Sequence, residues 1–309
     1  MARLLPILLV VGLLGGTAAA FAITEGLKLE KSPITRTHLV NQLFSPVCNC
    51  DKDFSVDFRL RKGDTLTATV ITPEGDPVAT IANHYFRKGL VHPPLRWNGR
   101  DSAGAVAPDG PYKLRLHLKR QHQTITLPDT ITVKSNPALI AIKSVAPRVF
   151  SPDHDGRGEY VTVSYTVSGT ARPLLYVDGA QVGRGRLTQS TGSIHWYGGK
   201  HGEKYPPGVY RLSLRAEDRA GNISPPTRDV GVVLRYLALG RKVVRVHPGA
   251  RFAVRVASDA ESVEWLLRGR AGQSAPGTLR FRAPKKPGRY KLYVTSNGHS
   301  QAALVVVSK

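Results

Sequence analysis

Cysteine and acidic residues are scarce in this chain, and the common catalytic motifs are missing. Its 309 residues include two cysteines and 22 aspartates and glutamates. A structural zinc site needs about four ligands, and no paired histidines supply those that two cysteines leave open. The sequence contains no G-x-S-x-G, no H-E-x-x-H, no P-loop and no G-x-G-x-x-G at a strand-to-helix junction. We therefore expect a chain that is not an enzyme and that has no organic cofactor.

Helical periodicity is also scarce, whereas turn-forming residues are plentiful. The sequence has 30 glycines and 22 prolines, which is typical of a chain that turns every eight to twelve residues. Apolar residues alternate with basic or polar ones in several runs, for example over 112–118 and 210–215. Such alternation predicts strands with one apolar and one polar face. The fold class that we predict is all-β.

Two long stretches of the chain are variants of one another. WNGRDSAGAVAPDGPYKLRL begins at Trp97, and WYGGKHGEKYPPGVYRLSL begins 99 residues later at Trp196. A Phe-Ser-Pro motif at Phe44 likewise returns 106 residues later at Phe150. A spacing of about a hundred residues suits a β-sandwich. The pattern predicts tandem sandwiches, each beginning with Phe-Ser-Pro.

These motifs resemble a known module. The combination of Phe-Ser-Pro, the Trp-x-Gly turn and the step from Pro108 to Tyr112 is similar to the immunoglobulin-like domain of flagellar hook-capping proteins. The second copy ends in AEDRAGNIS, which resembles the ending of many bacterial Ig-like repeats; Tyr197 departs from the pattern, since Asp or Asn is usual there. The resemblance covers roughly 40–235. It implies tandem immunoglobulin-like β-sandwiches, and it implies fold more firmly than function.

The N-terminus is the one long apolar run. From Leu4 to Ala22 the sequence is almost uninterrupted in its hydrophobicity, follows Arg3 and ends in Ala-Phe-Ala. It fits a signal peptide and also an uncleaved anchor helix of about 20 residues. Both interpretations export the chain, so we expect an extracytoplasmic protein, membrane-anchored or secreted. The predicted organisation is a signal peptide or anchor helix at 1–22, a stalk at 23–39, Ig-like repeats at 40–136 and 137–236, and a small basic sandwich at 237–309.

Positive charge is concentrated in the third unit. From Gly240 to Lys309 there are 14 lysines and arginines against three acids, so this stretch contributes +11 of the net +22. A strongly basic face attracts polyanions, and an anionic cell-envelope polymer is the expected ligand. Nucleic acid is not expected, because aromatic residues are not interleaved on the basic face. The alternative is a solvated surface that only keeps the protein soluble. The candidate polyanion-binding residues are Arg245, Arg255, Arg280, Arg282, Lys285 and Lys286.

Cys48 and Cys50 are separated by one residue. In an exported chain a local disulfide is the first expectation. Intermolecular bridges, half of a metal site and two reduced thiols are the alternatives.

An acidic loop follows the second Phe-Ser-Pro motif. Asp153, Asp155 and Glu159 offer three carboxylates around a glycine turn, and oxygen ligands of this kind suit calcium. Arg157 lies within the loop, and no EF-hand pattern follows. The loop is therefore a candidate calcium site, with a plain Asx-type turn as the alternative.

The function predicted from these features is binding without turnover. Two Ig-like repeats would act as a spacer, adhesive module or scaffold, and the basic C-terminal domain would contact an anionic envelope polymer. The alternative is an assembly or accessory factor, like a hook-capping protein or the subunit of an envelope enzyme, that binds a protein partner through its sheet edges.

Overall fold

The computed structural model describes residues 10–21, 32–48, 50, 52–200 and 202–309. Within these ranges the chain forms one short helix, residues 10–21, and 26 strands. The predicted all-β fold class is confirmed: the strands build three successive immunoglobulin-like sandwiches that follow the N-terminal helix.

The structure describes only part of the segment that is predicted to be a signal peptide or anchor helix. Residues 10–21 are helical, and the rest of the predicted apolar segment and most of the predicted stalk lie outside the described residues. In the described part of the chain, no helix has both the length and the hydrophobicity required to span a bilayer.

The chain divides into two compact units. One contains Asp51–Lys134 together with the described part of Met1–Pro46, and the other contains Val47–Cys50 and Ser135–Lys309. The second unit therefore contains the second and third sandwiches.

The first sandwich is built on one long, bent strand. The first half of β3 pairs with β1 and β5, while its second half pairs with β6, and β4 pairs along both halves. The predicted stalk is shorter than expected, because residues 34–40 form β1 and Ile34 is buried in the core. The strands are β1 (Ile34–Val40), β2 (Leu43–Phe44), β3 (Phe54–Ile71), β4 (Pro77–Leu90), β5 (Leu95–Trp97), β6 (Gly110–Leu118), β7 (Gln123–Thr126) and β8 (Ile131–Val133).

The second sandwich packs a five-stranded sheet on a three-stranded one. The larger sheet has the order β10-β18-β17-β12-β13 and the smaller one β14-β11-β9. Alternating residues of both sheets fill the core between them. The strands are β9 (Ile140–Ala146), β10 (Val149–Phe150), β11 (Val161–Val167), β12 (Ala171–Val177), β13 (Ala180–Arg184), β14 (Thr191–Trp196), β15 (Gly199–Lys200), β16 (Glu203–Lys204), β17 (Gly208–Asp218) and β18 (Val230–Leu234).

The third sandwich repeats the topology of these two sheets, and the small β15–β16 pair of the second has no counterpart among its described residues. Its larger sheet has the order β20-β26-β25-β22-β23 and its smaller one β19-β21-β24. The strands are β19 (Ala238–Leu239), β20 (Val243–Val246), β21 (Arg251–Ala257), β22 (Val263–Leu267), β23 (Arg270–Ser274), β24 (Gly277–Arg282), β25 (Gly288–Ser296) and β26 (His299–Val307).

The two repeated sequence motifs meet in the structure. In the first sandwich a Cβ on Gly99 would lie 2.8 Å from Pro46 Cβ, and in the second a Cβ on Gly198 would lie 2.8 Å from Pro152 Cγ. Both glycines have positive φ, at +77° and +72°. The Trp-x-Gly turn therefore packs on Phe-Ser-Pro, and glycine is required at that contact.

A tyrosine corner occurs in all three sandwiches. The hydroxyl of Tyr112 donates to Pro108 O at 2.7 Å, that of Tyr210 to Pro206 O at 2.6 Å, and that of Tyr290 to Lys286 O at 2.8 Å. Each hydroxyl bonds a carbonyl four residues upstream, as in the tyrosine corner of Ig-type sandwiches. The third domain thus shares the local architecture of the repeats despite its divergent sequence.

Candidate functional site

The outer face of the small sheet in the third domain is strongly basic. On β21 the apolar residues point inward, so Arg251 and Arg255 face out, and on β24 the same alternation exposes Arg280 and Arg282. Arg251 pairs directly with Arg282 across the two strands. Four guanidinium groups therefore project from one side of two neighbouring strands. We call these four residues the arginine face.

A groove opens at the edge of this sheet. The small sheet has three strands and the large sheet five, and the groove lies where β24 meets the overhanging hairpin of β22 and β23. It has a volume of about 740 Å³. Its lining combines an aromatic floor with cationic walls, and no acidic side chain belongs to it among the described residues. The lining residues that matter here are Trp265, Phe281, Arg268, Arg270, Arg280, Arg282 and Lys285.

Trp265 is the aromatic centre of this basic groove. Its ring packs edge-on against Phe281, with ring centroids 5.2 Å apart. On the neighbouring edge strand, Gly272 is its direct partner, and a Cβ there would come within 2.5 Å of the indole. The glycine therefore makes room for the large ring at the margin of the core. The Trp265 side chain is half-buried: it packs against the core of the third domain and also lines the groove.

The turn between β22 and β23 supplies two of the groove's cations. Arg268 and Gly269 both have positive φ, at 48° and 74°, which is the signature of a two-residue type I′ hairpin. Arg270 then pairs with Leu267 and therefore shares its inward face, at the overhang that the small sheet leaves uncovered. The hairpin thus directs positive charge into the groove.

The structure places the six sequence-predicted basic residues in different parts of the third domain. Arg280, Arg282 and Lys285 line the groove, and Arg255 lies on the arginine face. Arg245 lies on β20 of the other sheet, beside Val306, and so belongs to the opposite side of the sandwich. Lys286 lies in the loop before β25, where its carbonyl accepts the Tyr290 hydroxyl.

Sequence reasoning missed several members of this site. Arg251 follows the same alternation as Arg255 and could have been found from it. Arg268 and Arg270 flank a glycine in a turn, which gave a hairpin signal but no indication of where the turn points. The groove itself depends on the unequal widths of two sheets, which local sequence does not encode.

The predicted acidic loop lies at the junction of the second and third domains. Carboxylate oxygens of Asp153 and Asp155 lie within 4.8 Å of one another and of a carboxylate oxygen of Asp259, which comes from the third domain. The Asn297 amide nitrogen donates to Asp153 at 3.1 Å and to Asp155 at 3.0 Å. Two domains therefore contribute to one polar cluster, which we call the acidic junction.

Glu159 has a different role from that of the other two loop acids. Its carboxylate accepts the backbone N–H of His154 at 3.1 Å and of Gly156 at 2.9 Å. It therefore fixes the loop conformation, and Asp259 takes the third place in the cluster. A Cβ on Gly158 would collide with the Asp259 carboxylate, so the loop needs glycine at this approach.

The electrostatics of the acidic junction favour a cation. Burial raises the pKa of Asp259 above its ordinary value, and the charges of Asp153 and Asp155 raise that pKa further. Oδ1 of Asp153 and Oδ1 of Asp259 are both buried and have no hydrogen-bond partner. Carboxylate oxygens without a hydrogen-bond partner are suitable ligands for a hard cation such as calcium. The residues present therefore fit the predicted metal.

The two cysteines form a disulfide in the structure. Their segment groups with the second unit, where Cys50 Sγ lies 4.0 Å from Ala220 O. Gly221, at φ +94°, faces the same sulfur, and a Cβ there would lie 2.7 Å from it. The bridge therefore packs on the Ala-Gly turn that ends β17.

Comparison with known proteins assigns the chain to no family. No protein-family model matches the chain, and no curated protein matches it. A tandem from titin is 9% identical, covers 88% of this chain and 99% of its own, and has a TM-score of 0.31. Fibronectin(III)-like modules of Clostridium thermocellum CbhA are 16% identical over 55% of this chain and 94% of theirs, with a TM-score of 0.23. A Bacteroides ovatus glucan-utilization protein, SGBP-B, is 14% identical over 90% of this chain and 71% of its own, with a TM-score of 0.22. Likenesses at this level carry no functional argument.

Proposed function

We propose that this chain is a non-catalytic, exported binding protein whose third domain contacts an anionic cell-envelope polymer, while the first two sandwiches act as a spacer. The observation that carries the proposal is the arginine face together with the basic groove beside it. Four exposed arginines on two adjacent strands form a surface, and the groove adds Arg268 and Arg270 from the β22–β23 hairpin and Lys285 from the loop after β24. A fixed array of guanidinium groups matches repeated carboxylate or phosphate groups.

Arginine makes this array better suited to binding than to solubility. The guanidinium is planar and can form two parallel hydrogen bonds to one oxyanion, whereas lysine acts as a point charge. None of Arg251, Arg255 and Arg280 makes an ion pair with an acid among the described residues. Their charge is therefore available to a ligand, and it acts over roughly 10 Å at about 0.1 M salt.

A salt series with matched variants tests this proposal. The full chain would be titrated with polygalacturonate, polyphosphate and polyglutamate between about 0.05 M and about 0.5 M salt. The double change Arg280→Gln and Arg282→Gln should weaken binding by roughly fivefold at low salt, since each exposed ion pair contributes about 0.2 to 1 kcal/mol.

The control is the double change Arg245→Gln and Arg289→Gln, which removes the same charge from the opposite sheet. It should change affinity by less than half as much on a logarithmic scale. Equal effects from the two pairs would mean that net charge alone attracts the polymer and that the arginine face is not a site. Failure of all three polymers to bind even at low salt would favour the other candidate, a protein partner at a sheet edge, as the resemblance to hook-capping proteins suggests.

We further propose that the acidic junction binds calcium and thereby fixes the third domain on the second. Asp153, Asp155 and Asp259 would hold the ion, and water would complete the six to eight oxygen ligands that calcium takes. The bound cation would offset two of the three clustered negative charges and satisfy the two orphaned oxygens. Its role would be structural.

Thermal unfolding with calcium and with a chelator tests this site. Calcium at a hundred times its Kd should stabilise the native chain by about 2.7 kcal/mol. Asp259→Asn should abolish the shift, and Glu203→Gln, an exposed acid outside the junction, should leave it intact. A calcium shift that survives Asp259→Asn would place the ion elsewhere.

A further inference from the structure

We infer that the groove around Trp265 recognises an acidic polysaccharide, with a sugar ring seated on the indole and its carboxylates held by the surrounding arginines. This inference rests on the proposed polyanion-binding function and names the chemical class of its ligand. It is carried by the juxtaposition of one half-buried tryptophan with five cations in a single groove.

The three tryptophans of the chain differ in a way that sets Trp265 apart. Trp97 and Trp196 are each 2% exposed, and their indole N–H groups donate to Arg100 O at 2.8 Å and to Gly199 O at 3.1 Å. Both are satisfied core residues that close a hairpin. Trp265 is half-buried, and its ring forms part of the groove surface.

The position of Trp265 in the fold points to the same conclusion. The position equivalent to Trp265 can be found in each domain from the corner tyrosine. The residue two positions after that tyrosine has a cross-strand partner, and the equivalent residue lies two positions before this partner on the same strand. In the first domain it is Ala68, in the second Leu175, and both are fully buried. The third domain has Trp265 there. The fold is satisfied by a smaller apolar residue, so the large ring supplies a surface beyond what the core needs.

The combination of groups selects among polyanions. Guanidinium groups bind carboxylate and phosphate alike, so the arginines alone do not discriminate. One face of a pyranose ring presents C–H groups that pack on a flat aromatic surface, as apolar groups generally do on tryptophan. Polyphosphate and polyglutamate backbones offer no such face. An acidic sugar polymer uses both the arginines and the indole.

The cations of the groove come from two different parts of the fold. Arg280 and Arg282 come from β24, with alternate residues on a strand spaced by about 6.6 Å, whereas Arg268 and Arg270 come from the β22–β23 hairpin. Arg282 is oriented by a hydrogen bond from its Nε to Gly249 O at 3.2 Å. A sugar seated on Trp265 would therefore meet guanidinium groups on both walls, which favours a chain that carries a charge on successive rings.

Titration of the full chain with polygalacturonate, polyglutamate of equal charge, and neutral dextran tests this inference. Because Trp97 and Trp196 are buried, a ligand on the groove should change the fluorescence of Trp265 alone. We expect polygalacturonate to quench or shift that emission, polyglutamate to bind with less effect on it, and dextran to do neither. Trp265→Leu, which introduces the residue that the second domain uses, should weaken polygalacturonate binding by about tenfold and polyglutamate binding by less than twofold.

The matched controls are Trp265→Phe and Leu266→Ala. The first keeps an aromatic surface and should retain most of the sugar preference, and the second changes an exposed neighbour on the opposite face of β22 and should change nothing. If Trp265→Leu lowers the melting temperature strongly, its binding data cannot be used, and the test is then the Trp265 fluorescence of the unaltered chain during titration with the two polymers. Equal affinity for both polymers without any response of Trp265 would overturn the sugar inference and leave polyanion binding standing. Failure of every polyanion to bind would overturn both.

Discussion

The second and third domains share one topology but present different surfaces at the same place. The cross-strand pair Val161–Trp196 of the second domain is equivalent to the pair Phe252–Phe281 of the third. The outward-facing residues next to these pairs can therefore be compared position by position. The second domain has a cluster of Tyr160, His195 and Tyr197, with ring centroids 4.7 to 6.4 Å apart. The third has arginines at all three positions: Arg251, Arg280 and Arg282. The sandwich fixes its inward-facing residues and leaves this outer row free for a specific surface.

The two domains also differ in where their tryptophan lies relative to the core. The second domain places Trp196 beside Phe150 and Tyr210, with ring centroids 5.2 and 5.3 Å apart. The third has Phe281 at the corresponding position, and its only tryptophan lies on β22 at the groove. In one domain the indole closes the core, whereas in the other it forms the floor of a surface groove. The same residue type therefore fills the core of one sandwich and lines the surface of the next.

Replacing the two tryptophans should separate these roles most clearly. Trp196→Ala should lower the free energy of unfolding by about 3 to 5 kcal/mol, because it empties a packed core position and leaves Gly199 O without its donor. Trp265→Leu should cost much less, roughly 1 kcal/mol, since the fold accepts leucine there. Chemical denaturation measures both values. A larger loss from Trp265→Leu than from Trp196→Ala would reverse the distinction drawn above.

Giving the third domain the outward-facing residues of the second should remove most of the proposed polyanion binding without disturbing the fold. The triple change Arg251→Tyr, Arg280→His and Arg282→Tyr gives the third domain the surface of the second. We expect affinity for polygalacturonate to fall by roughly tenfold at low salt, from three exposed ion pairs of about 0.5 kcal/mol each. The melting temperature should move little, because the substituted side chains are exposed. Retained affinity with the triple change would place the binding site elsewhere on the chain.

Two partly or fully buried carboxylates should give opposite pH dependences. Burial alone would raise the pKa of Asp64, but hydrogen bonds from Arg120 N, the Gln121 side chain, Thr65 N and Gln121 N outweigh it and lower that pKa. The stability that Asp64 contributes is therefore present above its unfolded pKa and lost as pH falls through the folded value. Asp259 has a raised pKa, so its favourable contribution is present at low pH and lost as pH rises through the folded value.

Unfolding free energies measured between acid and neutral pH, without calcium, would detect this contrast. Asp64→Asn should reduce stability at neutral pH, since an amide nitrogen would face backbone donors. Asp259→Asn should increase stability at neutral pH and should have a smaller effect in acid. If both substitutions moved stability in the same direction at neutral pH, the opposed electrostatics would be wrong.

Substitution of the corner tyrosines should give the smallest loss of stability, and the loss should be nearly equal in the second and third domains. Tyr210→Phe and Tyr290→Phe each remove one hydroxyl that donates to a carbonyl four residues upstream. Each should cost about 0.5 to 1.5 kcal/mol, measured by denaturant titration. Since the corner geometry is the same, the two costs should agree within about 0.5 kcal/mol. A difference much larger than this would show that the corners are not equivalent.

The elements that the sequence predicted best are those set by short-range patterns. The Trp-x-Gly turns, the Pro-Gly-x-Tyr corners and the alternating strands are all local, and each appears at the expected residues. The entry of β1 into the first sheet was missed, because residues 34–40 show no strong alternation and their partner strand lies some 20 residues away. Asp259 was missed for a similar reason, since its approach to Asp153 and Asp155 depends on how the third domain meets the second.

The candidate groove is the feature that depends most on the three-dimensional structure and is hardest to predict from the sequence. Arg280 and Arg282 could be chosen from alternation, but Arg245 satisfies the same pattern and lies on the opposite sheet. Alternation identifies which side of a strand faces outward. It does not identify which of two outer faces a strand contributes to, and that is decided by the pairing of β20 with β26.

The pairing of the second and the last strand of a domain has a mechanical consequence. In the second domain β10 runs parallel to β18, over Val149–Phe150, and in the third β20 runs parallel to β26, over Val243–Val246. Tension applied through the chain at the two ends of such a pair pulls the strands in opposite directions along their length, so the interstrand bonds are loaded in shear and must break together. Four residues are paired in the third domain against two in the second. Stretched between its ends in a single-molecule pulling experiment, the chain should yield at the second domain before the third, so the third sandwich should stay folded under a load that opens the second.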